Sequence, residues 1–246
     1  MSAITDSLGT SPIRTRGLST TSTAPSCSAR IVSSLDAAVR LEHTTTGIGE
    51  SVISFRRKAI VAGASTGGTE VLRQFLDEMP PNAPPVVIVQ HMPEKFTSAF
   101  ARRLDETSPM TVREASAGDV LRPGLALIAP GNQHLTLHRN AAGAICVMLD
   151  DGPLVNLHRP SVDVLFSSAA RVLGNGGVGV LMTGMGRDGA KGLLEMRSAG
   201  ALTIVQDEAT SVVFGMPGAA IDIDAAMHVV SERNLAGTAL GGCAGG

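Results

Sequence analysis

At 246 residues, 43% hydrophobic and 17% charged, the chain has the apolar content for a sizeable core, which excludes wholesale disorder. Its 20 basic and 22 acidic side chains leave a formal net charge of -2, and with no Trp, no Tyr and six Phe it offers neither a basic surface nor aromatic platforms for nucleic acid. Cys27, Cys146 and Cys243 form no CxxC pair, which argues against a disulfide framework or zinc knuckle and fits a reducing compartment, and no apolar run reaches the ~20 residues of a membrane span.

Residues 1 to about 35 are rich in Ser and Thr, set Arg14, Arg16 and Arg30 against the single acid Asp6, and show no apolar period. They read as a disordered tail, with an organelle transit peptide as the alternative that an Arg- and Ser-rich, acid-poor start allows. Leu35 to Leu41 has room for one or two helical turns. All of 1–57 is assigned to this tail, 58–232 to a folded domain, and 233–246, rich in Gly and Ala, to a flexible C-terminal tail.

The first strand is expected at Ala59 to Ala62. It runs into the turn Gly63-Ala64-Ser65-Thr66-Gly67-Gly68, after which Val71, Leu72, Phe75, Leu76 and Met79 fall on one helical face. Val86 to Val89 is a second strand, followed by a helix in which Phe96, Phe100 and Leu104 recur at i, i+4, i+8. Leu125 to Ala129, Leu135 to Leu137 and Ala144 to Leu149 are strand-like with no helix between them, and with a turn at Asn140 to Gly143 they predict an antiparallel insertion. Ser161 begins a helix with Val164, Leu165, Ser168, Ala169, Val172 and Leu173 on one face; Val178 to Thr183 is a buried strand, Gly189 to Ala199 a helix ended by Gly200, and Leu202 to Val205 a last strand. The alternation predicts an α/β fold: a doubly wound, mostly parallel sheet with helices on both faces and an antiparallel edge hairpin.

The first turn carries the most chemistry. A P-loop needs Lys and then Ser or Thr after Gly68, where Thr69 and Glu70 stand; a dinucleotide fingerprint needs glycine where Ser65 stands. Gly63, Ser65 and Gly67 do satisfy Gly-x-Ser-x-Gly, the nucleophile-elbow spacing, with a helix cap as the alternative role for the serine. Ligands of parallel sheets bind beyond the carboxyl ends of the strands. On that rim Ser65, His91 and Asp188 each follow a predicted strand, and together they supply an alcohol, a base titrating near ~6.5 when unperturbed, and a carboxylate to orient it. The competing roles are a structural hydrogen bond for His91 and an N-cap for Asp188. Glycines beside Met185 leave its turn open to donate to an oxyanion.

GASTGG, VVIVQHMP, LIAPGNQHLTL, RPSVDVLF, VLMTGMGRDGAKGL and VQDEATSVVFGMPGAAI occur in that order between about Lys58 and Val230. The set closely resembles the catalytic domain of the bacterial chemotaxis protein-glutamate methylesterases, the CheB family. The resemblance implies a triad on Ser65, His91 and Asp188, with Thr66 supporting the imidazole and Met185 at the oxyanion site. It implies hydrolysis of γ-glutamyl methyl esters on the cytoplasmic helices of chemoreceptors, with glutamine deamidation as a companion activity, in the cytoplasm and with no metal or organic cofactor. Chemotaxis enzymes of this family usually carry an N-terminal phosphorylatable receiver domain of about 120 residues, within the usual domain size range. The residues before Lys58 show neither an acidic pair nor alternating strands, so a stand-alone catalytic domain is expected. A general small-ester serine esterase and a non-catalytic module that binds methylated receptor helices are the alternatives. His134 and His138, which flank Leu135 to Leu137 on a strand, are expected on one solvated face, and Arg159 is a candidate to bind an acidic helix, with a plain surface charge as the equal alternative.

Overall fold

Every residue of AIVAGA, β1 (Ala59–Ala64), is buried, because a central parallel strand is covered on both faces and needs small or apolar side chains at each position. The computed structural model describes residues 59–244, so the expected N-terminal tail and the helical turns at Leu35 to Leu41 lie outside the described residues. After β1 the elements are α1 (Gly68–Asp77), β2 (Val86–Gln90), α2 (Glu94–Asp105), β3 (Thr111–Glu114), β4 (Leu125–Ile128), β5 (His134–Arg139), β6 (Ile145–Asp150), α3 (Val162–Leu173), β7 (Gly177–Leu181), α4 (Ala190–Ser198), β8 (Leu202–Gln206), α5 (Met216–Asp222), β9 (His228–Val230) and α6 (Leu235–Ala244).

Among the described residues the main sheet has seven strands in the order β3-β4-β2-β1-β7-β8-β9, all parallel. Alternate strand residues feed two cores. Ile60, Ala62 and Ile88 meet Leu72, Phe75 and Leu76 of α1 and Leu104 of α2 on one face, while Val61, Val87 and Val89 meet Leu165, Phe166 and Leu193 of α3 and α4 on the other. Truncating a fully buried aromatic such as Phe75 to alanine costs about 3–5 kcal/mol. The chain leaves β1 toward β2 on one side and later returns to β7 on its other side, so β1 and β7 flank the switch point where such sheets bind ligands.

Two segments depart from the sequence expectation, and β3, α5 and β9 have no counterpart in it. Leu125–Ile128 belongs to the parallel sheet, paired with β2 and β3, and not to the antiparallel insertion. The insertion is β5 with β6 alone, a two-stranded sheet packed against α3, with Leu135, Leu137 and Val147 in the core. The segment expected as a flexible C-terminal tail forms α6. Gly237, Gly241 and Gly242 are poor helix formers, but Leu235, Ala236, Ala239 and Cys243 are buried against the sheet, and a Cβ at Gly242 would collide with Leu202. Burial outweighs propensity there, and glycine is what permits the close approach.

Candidate active site

Ser65 is the first residue past β1, and its backbone is tied on three sides. Its N–H donates to Thr183 O at 3.0 Å, and its carbonyl accepts from Gly68 N–H and Gln90 Nε2, each at 2.9 Å. The elbow depends on two glycines: Gly67 has φ +82 and a Cβ there would sit 2.5 Å from Val212, while a Cβ on Gly184 would sit 2.7 Å from the Cβ of Ser65. Gly67, with no side-chain hydrogen bond, caps α1, so Ser65 is not the cap. Among the described residues Ser65 Oγ makes no hydrogen bond.

His91 enters from the neighbouring strand, its N–H donating to Ala64 O at 3.1 Å, which sets it beside the elbow. Its Nε2 lies 2.9 Å from Asp188 Oδ2, and the two side chains are only 7% and 1% exposed. Asp188 Oδ1 also accepts from Asn156 Nδ2 and Ser161 Oγ, each at 2.7 Å, and from Asp163 N–H at 3.3 Å; Oδ2 accepts from Val162 N–H at 2.7 Å. Val162 and Asp163 open α3, so Asp188 holds the N-terminus of that helix and gains from its dipole. It does not cap its own helix, where Gly189 stands.

Burial pushes the Asp188 carboxyl up, but the hydrogen bonds from His91, Asn156, Ser161 and Val162 outweigh that and bring its pKa to about 2. An ionised acceptor at Oδ2 requires the proton on Nε2, which leaves the lone pair of the neutral ring on Nδ1. Nδ1 is buried, with no hydrogen-bond partner among the described residues. An unsatisfied buried acceptor costs about 1–3 kcal/mol, which a donating hydroxyl relieves. In that tautomer Asp188 faces the protonated Nε2, and Nδ1 is the ring atom left to accept a proton.

Several residues that sequence reasoning left without a role gather here. The ring of His158 stacks on that of His91, centroids 3.7 Å apart and planes at 11°. Burial, then the proximity of His91, lowers the His158 pKa, which favours the neutral ring. Asn156 Nδ2 donates to Asp188 and also, at 2.7 Å, to Asp163 Oδ2; burial raises the Asp163 carboxyl despite that bond and one from Gly192 N–H. Ser161 begins α3 as expected, and its hydroxyl also donates to Asp188. A polar side chain at a helix start was legible; its long-range partner was not.

Thr66 is exposed; its carbonyl accepts from Thr183 Oγ1 at 3.0 Å, and its own hydroxyl makes no hydrogen bond among the described residues. The Met185 side chain is 73% exposed. Among the described residues the N–H groups of Thr66 and Met185 have no acceptor; Thr66 adjoins the serine in sequence, and Met185 follows Gly184, where a Cβ would sit 2.7 Å from the Cβ of Ser65. His134 departs from its expected solvated face: it is buried, accepts from Ser161 N–H through Nδ1 at 3.2 Å and donates to Pro153 O through Nε2 at 2.9 Å. His138 faces Thr136 Oγ1. The Arg159 guanidinium is spent on Asp151 O, Gly152 O and Asn132 Oδ1, so it braces a loop and is not held out for an acidic helix. Among the described residues no His, Cys, Asp or Glu cluster has the makings of a metal site.

The family model described as CheB methylesterase matches residues 60–239, a span that contains Ser65, His91 and Asp188. The chain belongs to the CheB methylesterase family. A CheB relative named protein-glutamate methylesterase/protein-glutamine glutaminase 1, from Anaeromyxobacter dehalogenans, is 57% identical over 185 residues, 75% of this chain and 52% of the relative. The protein-glutamate methylesterase/protein-glutamine glutaminase 2 of Rhodospirillum rubrum is 60% identical over 177 residues, covering 72% of this chain and 48% of that protein. The chain thus spans about half the length of the curated relatives it matches. The crystal structure of the Thermotoga maritima CheB methylesterase catalytic domain superposes with a TM-score of 0.73 at 39% identity, covering 75% of this chain and 97% of that one. The seven-stranded parallel sheet with its separate hairpin is therefore the fold of the CheB catalytic domain.

Proposed function

We propose that this CheB-family chain is a serine hydrolase that removes methyl esters from glutamate side chains of chemoreceptors, with deamidation of receptor glutamines as a companion activity. The observation that supports the proposal is the Asp188-held imidazole, which follows the strand beside the serine elbow and whose buried Nδ1 has no hydrogen-bond partner among the described residues. The names of its relatives, protein-glutamate methylesterase/protein-glutamine glutaminase, support the choice of substrate.

In the proposed reaction Ser65 Oγ attacks the γ-carbonyl carbon and passes its proton to His91 Nδ1. Asp188 stabilises the imidazolium through Nε2. The oxyanion is received by the N–H groups of Thr66 and Met185, each such donor typically contributing about 10²–10³ in rate. Collapse breaks the bond to methoxide, which takes the Nδ1 proton and leaves as methanol. Water, deprotonated by the same nitrogen, then attacks the acyl-serine, and glutamate and free Ser65 result. A glutamine side chain follows the same course with ammonia as leaving group. The proposed site of action is the cytoplasm, where such receptor helices lie; among the described residues no helix is long and apolar enough to cross a membrane.

The test is methanol release from a methylated receptor cytoplasmic fragment. Wild-type protein should release it, and Ser65→Ala should lose at least ~10³-fold of the rate, as loss of a triad nucleophile does. Equal release by the alanine variant removes Ser65 from the mechanism. Release from a simple methyl ester but not from the fragment favours a general esterase.

A further inference from the structure

Leu157 is placed at a double disadvantage. It is 87% exposed, and its φ of +67 lies in the left-handed region, where a side chain with a Cβ is disfavoured and glycine is not. Scattered exposed leucines need no explanation. A leucine that also occupies a glycine position does, since at 87% exposure it gains little from packing among the described residues.

The turn that holds it is part of the site. Val155 and His158 pair as a two-residue hairpin, with N–H to O distances of 3.1 and 2.9 Å, and both central residues, Asn156 at φ +50 and Leu157, have the positive φ of a type I′ turn. On one side of Leu157, Asn156 donates to Asp188; on the other, the His158 ring lies on His91. The turn is thus anchored to both members of the dyad, and its tip is fixed relative to the reacting atoms. Two other loops at the site also carry exposed apolar side chains: Met185, between Gly184 and Asp188, and Val212, against Gly67 of the elbow. Left-handed backbone at a residue other than glycine persists only where its surroundings fix it, and it clusters at active sites and ligand clamps.

We infer that Leu157 is a specificity-determining residue, which packs against an apolar side chain of the receptor helix next to the esterified glutamate and so favours a protein substrate over a free ester. The inference rests on the proposed function and deepens it. A small ester has no flanking surface to reach the tip of the turn, so Leu157 discriminates between the two substrate classes.

The experiment compares kcat/KM for methylated receptor fragment with kcat/KM for a small glutamate γ-methyl ester, in wild type, Leu157→Gly and Leu157→Met, together with thermal melting. The ratio should fall at least about tenfold in Leu157→Gly, what a leucine side chain loses when removed from an apolar contact. It should stay within about threefold in Leu157→Met, which keeps a similar apolar volume. Leu157→Gly should melt no lower than wild type, because glycine suits the turn. An unchanged ratio in Leu157→Gly overturns the inference alone, and so does a ratio that falls only in company with a lower melting temperature. Wild-type protein that releases no methanol from the fragment overturns the proposed function, and the inference falls with it.

Discussion

Asp188 receives hydrogen bonds from His91, Asn156, Ser161 and two backbone N–H groups of α3, whereas Ser65 Oγ, at the other end of the site, makes none among the described residues. The carboxylate is also 1% exposed, and a buried charge persists only when its lone pairs are occupied. Those bonds therefore do two things: they hold the imidazole and they pin the start of α3 to the turn before α4. The serine is fixed through its backbone and keeps its hydroxyl uncommitted. One end of the site is part of the fold's stability, and the other is presented by the fold without contributing to it.

That contrast predicts unequal stability costs. Asp188→Asn should be the most damaging, because an amide NH₂ would face donors: about 3 kcal/mol of stability, read as a lower urea midpoint, and about 10⁴-fold in kcat. If the variant were as stable as wild type, the carboxylate would have no structural role. Acid should reveal the same bond set in the wild type. A depressed carboxyl contributes its stability fully above the usual carboxylate pKa, and this is lost as pH falls toward the folded value of about 2. Unfolding measured between about pH 5 and pH 2 should lose about 2 kcal/mol from this group, and that component should be missing in Asp188→Asn. Asp163, raised by burial, titrates with the opposite sign and offsets part of the loss.

Effects shrink toward the serine. His158→Ala removes one ring of the stack and should cost about 1 kcal/mol, with kcat about tenfold lower if the imidazole loses its orientation. A variant with full kcat would make the stack packing alone. Ser65→Ala should change stability by less than about 0.5 kcal/mol while abolishing activity. A large drop in its melting temperature would show the hydroxyl bonded in the fold, and the contrast between the two ends would fail.

The parts of this arrangement visible in the sequence are those encoded by local pattern. The runs at β1, β2, β7 and β8 announce buried strands; Ser65 and His91 stand directly after β1 and β2, and Asp188 lies in the turn that follows β7, so a common rim follows from parallel topology. Leu125–Ile128 is an equally apolar run, but nothing within four residues distinguishes a parallel from an antiparallel partner. β3 and β9 are short edge strands with exposed positions, and they lack the continuous apolar signal. In α6 the glycines conceal a helix that only packing explains. Asn156, His158 and Asp163 reach the site through tertiary contacts: the turn at Asn156 and Leu157 uses left-handed backbone without a glycine to mark it.

The central claim is that His91, held by Asp188, makes Ser65 a nucleophile. Labelling with a fluorophosphonate, followed by peptide mass mapping, tests it without any receptor. The account predicts one adduct, on the peptide containing Ser65, formed at least ~10³-fold more slowly in His91→Ala. An adduct on another residue, or equal labelling of wild type and His91→Ala, would contradict it.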